Sequence, residues 1–138
     1  MPSYEIMKYK ILILSILIGY AAWTQLYRYD SDKAVAHIQA HHLSRSHSCC
    51  AWYVMRAMQA GGCPIGILPA WAYKYALPLY GFKQVEKPAK GDIVVIENTP
   101  KHFWGHIAMY DGEHWISDFK QKSISVYRDM PPYMIYRK

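Results

Sequence analysis

Three hydrophobic patterns follow one another along the chain. The first is the run Ile11-Leu12-Ile13-Leu14-Ser15-Ile16-Leu17-Ile18, preceded by Lys8 and Lys10. A positive flank before a short apolar core is the arrangement of a secretory signal, and Gly19-Tyr20-Ala21 offers small residues for a cleavage site. Carried on to about Tyr27, the same run has roughly 17 residues and reaches the lower limit for spanning a bilayer. Its basic flank would then keep the N-terminus in the cytoplasm and place the remainder outside. A core helix would share this composition. The expectation is a signal peptide or membrane anchor over residues 1–27, with membrane contact through residues 11–27, and one folded domain over 28–138.

The second pattern is helical. From about Asp32 to Leu43, Val35, Ile38 and Leu43 share one side, with Asp30, Ser31 or Asp32 as the cap. A second helix is expected from Cys49 or Cys50 to Ala60, with Ser48 as N-cap and Gly61-Gly62 as the stop. It would align Cys50, Val54, Ala57 and Met58 and send Arg56 and Gln59 to solvent. Ala70 to Leu79 reads as a shorter third helix bounded by prolines.

From Gly81 the pattern changes to strands. A turn over Lys87-Pro88-Ala89-Lys90-Gly91-Asp92 launches Ile93-Val94-Val95-Ile96. After a loop from Asn98 to Trp104 come His106 to Tyr110, an Asp111-Gly112 turn, and His114 to Phe119. Ser123 to Tyr127 and Tyr133 to Tyr136 complete the set. Helices first and an antiparallel sheet afterwards describe an α+β domain.

Composition changes this picture little. A chain of 138 residues with 52% hydrophobic and 19% charged positions can bury a core, which excludes a disordered protein. Thirteen tyrosines and five tryptophans suit sugar or peptide stacking, although core packing uses aromatics equally. The net charge of +6 favours an anionic partner such as a cell wall or membrane. No basic run, zinc-finger spacing or aromatic nucleic-acid motif accompanies it, so no nucleic-acid partner is expected.

Cys50 and His106 carry the chemistry. A thiol at a helix N-terminus gains thiolate character from the dipole and the free N–H groups, and a neighbouring imidazole adds to the effect. Either residue alone has a plainer role, a small buried hydrophobe or a satisfied core histidine. A glycine at 105 lets another segment approach the start of the histidine strand closely. Hairpin parity bears on the group that orients the imidazole. A three-residue loop with a bulge puts Asp118 on the same face as His106, whereas a strict two-residue turn puts Ser117 there. Asp118 is preferred because a carboxylate best stabilises an imidazolium, and Gln121 is a third possibility.

These residues resemble the CHAP family, the cysteine- and histidine-dependent amidohydrolases and peptidases of the papain-like superfamily. Cys50-Ala51-Trp52-Tyr53-Val54 is similar to the family's Cys-Thr-Trp-Tyr-Val box, which selects Cys50 over Cys49. Pro88-Ala89-Lys90-Gly91-Asp92-Ile93-Val94-Val95 resembles its Pro-x-x-Gly-Asp strand, and Gly105-His106-Ile107-Ala108 its histidine strand. The tail Trp115 to Gln121 is similar to that of small amidase toxins of the type six secretion system. The family commonly carries glutamine before its cysteine; this chain has Cys49, so the backbone N–H of Cys50 is the one oxyanion donor implied.

The resemblance implies a papain-like fold, with N-terminal helices packed on a small antiparallel sheet. It implies cleavage of an amide in peptidoglycan stem peptides by Cys50, His106 and Asp118, without metal or cofactor, in the periplasm or on the outer face of the membrane. His47, Trp52, Trp104, Ser117 and Gln121 are the candidate substrate-binding residues. As a toxin, the protein would have an immunity protein as partner. A catalytically silent, membrane-anchored module that holds wall peptides or a protein is the alternative. His37, His41, His42 and His47 form a cluster with no acidic residue arranged around it, which reads as an exposed face and not as a metal site. A helix from Cys50 to Ala60 would hold Cys49 and Cys63 on the order of 15 Å apart, too far for a disulfide.

Overall fold

The computed structural model describes residues 2–26 and 28–138. Among the described residues four α-helices precede a five-stranded sheet: α1 (Pro2–Leu26), α2 (Ser31–His41), α3 (Cys50–Ala60), α4 (Tyr73–Leu79), then β1 (Lys83–Val85), β2 (Ile93–Ile96), β3 (His106–Tyr110), β4 (Trp115–Ile116) and β5 (Tyr133–Arg137). Every pairing is antiparallel, in the order β1-β5-β2-β3-β4. This is the expected α+β, papain-like architecture.

Both faces of the sheet are covered, which explains why all four side chains of β2 are buried instead of alternating. On one face, Ile93, Val95, Ile107 and Met109 pack with Val35 and Ile38 of α2 and Val54 and Met58 of α3. On the other, Val94, Ile96, Ala108, Trp115 and Ile135 meet Ile124 and Tyr127 from the segment after β4. Burying each large aliphatic side chain contributes about 1.5–3 kcal/mol.

The expected helix α2 forms, and Asp30 caps it by accepting from the N–H of Lys33 at 3.0 Å. Helix α3 runs as expected, with Val54, Ala57 and Met58 fully buried and Gly61 at its C-cap. Gln59 is half-buried, contrary to expectation, because its amide donates to the carbonyl of Ile65 at 2.9 Å. Ser48 is not the N-cap either: Cys49 holds that position without a side-chain cap bond, and Ser48 sits at φ +59°. The third helix divides into a 3₁₀ turn at Ala70–Ala72 and α4.

Among the strands, β1 was not anticipated, and 123–127 forms none. The strand expected from His114 shrinks to Trp115–Ile116, because the N–H of Ser117 turns back onto the carbonyl of Phe119 at 3.0 Å. The 88–92 turn is held by Asp92, fully buried. Its carboxylate accepts from the Ala89 N–H at 2.7 Å and pairs in a two-point fork with Arg137, at 2.8 and 2.7 Å. The turn therefore joins β2 to the end of β5.

Helix α1 contains a 21-residue stretch, Ser3–Trp23, of mean hydropathy 1.5 that is not buried against the rest of the protein. Length and composition suit it to crossing a membrane. The Tyr20 hydroxyl donates to the carbonyl of Pro78 at 3.2 Å. Tyr27, the expected end of the anchor, and Met1 lie outside the described residues.

Candidate active site

Cys50 is the first residue of α3, and His106 the first of β3. Strand β3 touches α3 on one sheet face and the 121–127 segment on the other, so its starting end is exposed to groups from both layers. There Cys50 and His106 line one cavity of about 450 Å³, together with Ser46, Ser48, Trp104, Gly105, Asp118, Phe119, Val126 and Tyr127.

Gly105 sets where the imidazole enters. It has φ +61°, and a Cβ there would collide with the carbonyl oxygen of Ile96 and lie 3.2 Å from Trp71 Cβ. The close approach anticipated for this glycine is therefore to the end of β2 and to the 3₁₀ turn. The carbonyl of Gly105 accepts the Tyr127 hydroxyl at 2.8 Å.

The imidazole partner is Gln121, and this corrects the preference for Asp118. His106 Nε2 and Gln121 Oε1 are 2.7 Å apart, with both side chains buried. The amide orientation follows from its other end, where Gln121 Nε2 donates to the carbonyls of Ser123 (3.1 Å) and Ile124 (3.5 Å). Oε1 can only accept, so the ring proton sits on Nε2 and Nδ1 carries the lone pair. The β3–β4 register, Met109 with Ile116 and Tyr110 with Trp115, favours the odd-numbered residues on the His106 side. The turn at 117–119 then brings the chain back, and the N–H of Gln121 donates to the carbonyl of Trp115 at 2.8 Å.

Asp118 grips the other wall. One carboxylate oxygen accepts from the N–H of His47 (2.6 Å), the N–H of Cys49 (3.2 Å) and the hydroxyl of Ser46 (3.3 Å). The second accepts from the Ser117 hydroxyl at 3.1 Å. The carboxylate thus holds the 46–49 segment on either side of the left-handed Ser48, just before α3 begins.

Burial pushes the Cys50 thiol above its ordinary value; the Ile107 N–H opposes the rise, the charge of Asp118 reinforces it, and the N–H groups of Ala51 and Cys50 oppose it again. Burial pushes His106 below its ordinary 6.5, although the Gln121 bond and the Asp118 charge pull upward. For Asp118, burial works upward, but the N–H groups of His47 and Cys49 and the Ser117 hydroxyl outweigh it and hold the carboxyl low. Burial thus works against the charged form of both groups.

Of the candidate substrate-binding residues, Trp104 lines the cavity and is exposed, its ring edge-to-face with Phe103 at 5.0 Å. Gln121 serves the imidazole. Ser117 is fully buried against Asp118. His47 contributes a backbone N–H, and Trp52 points elsewhere, beside Arg56 in a recess with His37 and His41. Those two histidines stack at 4.0 Å. Phe119, Val126 and Tyr127 are cavity residues that no sequence signal singled out, because a long-range fold-back brings them in.

The family model for the CHAP domain matches residues 42–126. The chain belongs to the CHAP domain family. Two solved structures are similar to this CHAP chain, both of Ralstonia pickettii. One is the crystal structure of the type VI native effector-immunity complex Tae3-Tai3, at 37% identity and TM-score 0.73, covering 79% of this chain and 98% of that one. The other is the selenomethionine form of the same complex, at 37% identity and TM-score 0.69, covering 75% and 98%. No curated protein matches the chain.

Proposed function

We propose that the protein is a cysteine amidohydrolase that cleaves an amide in the peptide part of peptidoglycan, and that it acts as an antibacterial effector. The observation that carries this reading is the shared cavity of Cys50 and His106, with the imidazole's Nε2 engaged by Gln121. In this reading the Cys50 sulfur attacks the scissile carbonyl while Nδ1 of His106 takes the thiol proton. The N–H of Cys50 at the start of α3 faces the developing oxyanion. His106 then protonates the leaving amine. A water molecule, deprotonated by the same imidazole, releases the acyl group from the sulfur.

The wall as substrate, an immunity protein as partner and action in the periplasm draw support from the similarity to a chain of an effector-immunity complex. The apolar helix α1 supports export, as a signal or as an anchor for a domain over 28–138. The test is digestion of purified peptidoglycan, with released fragments identified by mass spectrometry, using reduced wild-type protein and Cys50→Ala. New peptide fragments from wild type, absent with Cys50→Ala, are expected. An undigested wall, or equal digestion by both proteins, overturns the reading.

A further inference from the structure

A second cavity, of about 590 Å³, continues from the first; Ser46, Phe119, Val126 and Tyr127 line both. Its volume lies in the ordinary range of ligand sites. Four cations line it, Arg45, Lys120, Lys122 and Arg128, all exposed, and no carboxylate does. Among the described residues none of the four forms an ion pair. Cations elsewhere do: Lys74 pairs with Glu97, Lys90 with Asp32 and Arg137 with Asp92. The acid nearest in sequence, Asp129, is engaged by His102 Nε2 at 2.8 Å.

Four like charges around one recess repel one another, and a ligand bearing several negative charges relieves that repulsion. We propose that this basic groove is a subsite for the carboxylate-bearing stretch of the peptide substrate, and that it positions the neighbouring amide at Cys50. The occupant is an extended peptide with two or more free carboxylates, the chemistry of a wall stem peptide, and to this extent the inference rests on the proposed function. Ser123, with its exposed side, and the rim of Phe119 give the peptide backbone polar and apolar contacts between the charges.

The test uses two synthetic stem peptides, identical except that the carboxylates of one are amidated. Binding to the full-length Cys50→Ala protein is measured by calorimetry, and turnover by wild type is followed in parallel. The free-acid peptide is expected to bind more tightly by roughly fivefold to thirtyfold at low salt, a range set by two to three exposed charge contacts. That preference shrinks as the ionic strength is raised. In Lys122→Gln/Arg128→Gln the preference falls towards one, and kcat/KM for the free acid falls by a similar factor. Equal binding of the two peptides overturns the subsite, as does a preference that the double variant leaves intact. Preferential binding without turnover by wild type sustains the groove and overturns the hydrolase, whereas turnover without preference does the reverse.

Discussion

His106 Nε2 lies 2.7 Å from Gln121 Oε1 in a buried contact, so a neutral amide and not a carboxylate fixes the orientation of the imidazole. Gln121→Ala is expected to lower kcat by about tenfold to a hundredfold, the usual cost of a misaligned catalytic group, with little change in KM. The direction of the pH effect separates orientation from charge. Loss of the Gln121 bond removes an upward pull on His106, so the acid limb of kcat/KM moves to lower pH. Gln121→Glu supplies a negative charge and moves that limb upward. A pH–rate profile of the three proteins checks both shifts.

Asp118→Ala is expected to destabilise the protein by about 1–3 kcal/mol in urea unfolding, because the buried Ser117 hydroxyl and the part-buried donors of Ser46, His47 and Cys49 lose a charged acceptor together. The same change removes a charge that holds the Cys50 thiol up. Iodoacetamide alkylation followed against pH should therefore report a lower thiol value in any folded Asp118 variant, Asp118→Asn included. An unchanged alkylation profile would remove Asp118 from the electrostatics of the site.

Stability should fall in two stages on acidification. His106 has a folded value below 6.5, so as pH drops from there the unfolded chain takes up its proton first and the fold is progressively penalised. His37, lowered by partial burial and by His41 and Arg56, acts with the same sign. Asp118 contributes stability in full above 3.8, and that contribution is lost as pH falls through its lower folded value. Urea midpoints measured from pH 7 to 3 should show the first stage weakened in His106→Asn.

Arg137→Ala breaks the fork to buried Asp92 and leaves that carboxylate without its cation. A lower Tm is expected, with Cys50 alkylation unchanged below the transition. Gly105→Ala should be at least as costly. It imposes a left-handed strain and a contact with the Ile96 carbonyl at the point where β3 begins. Activity and Tm should fall together.

Much of this was legible in sequence where local rules govern. The stretch Ile93–Ile96, the span of α3 and the Gly105–His106 start of a strand all follow from periodicity and glycine chemistry. The site was legible only as far as single residues are. Cys50 and His106 announce themselves by motif, whereas the choice among Asp118, Ser117 and Gln121 depends on one tight turn at 117–119. Parity along an uninterrupted strand cannot foresee a chain that doubles back. Ser48 failed as a cap for a related reason: a carboxylate 70 positions later takes the N–H groups of His47 and Cys49 on either side of it, and Ser48 itself turns left-handed one residue before the N-cap position.

Strand β5 fills an interior place in the sheet, between β1 and β2, although it is the last strand to be synthesised. Until residues 133–137 have left the ribosome, β1 has no neighbour and one edge of β2 stays bare. The cavity of Cys50 and His106 is thus assembled on a scaffold that closes only when residues 133–137 join it. A chain without residues 133–137 carries Cys50 and His106 but not the completed sheet.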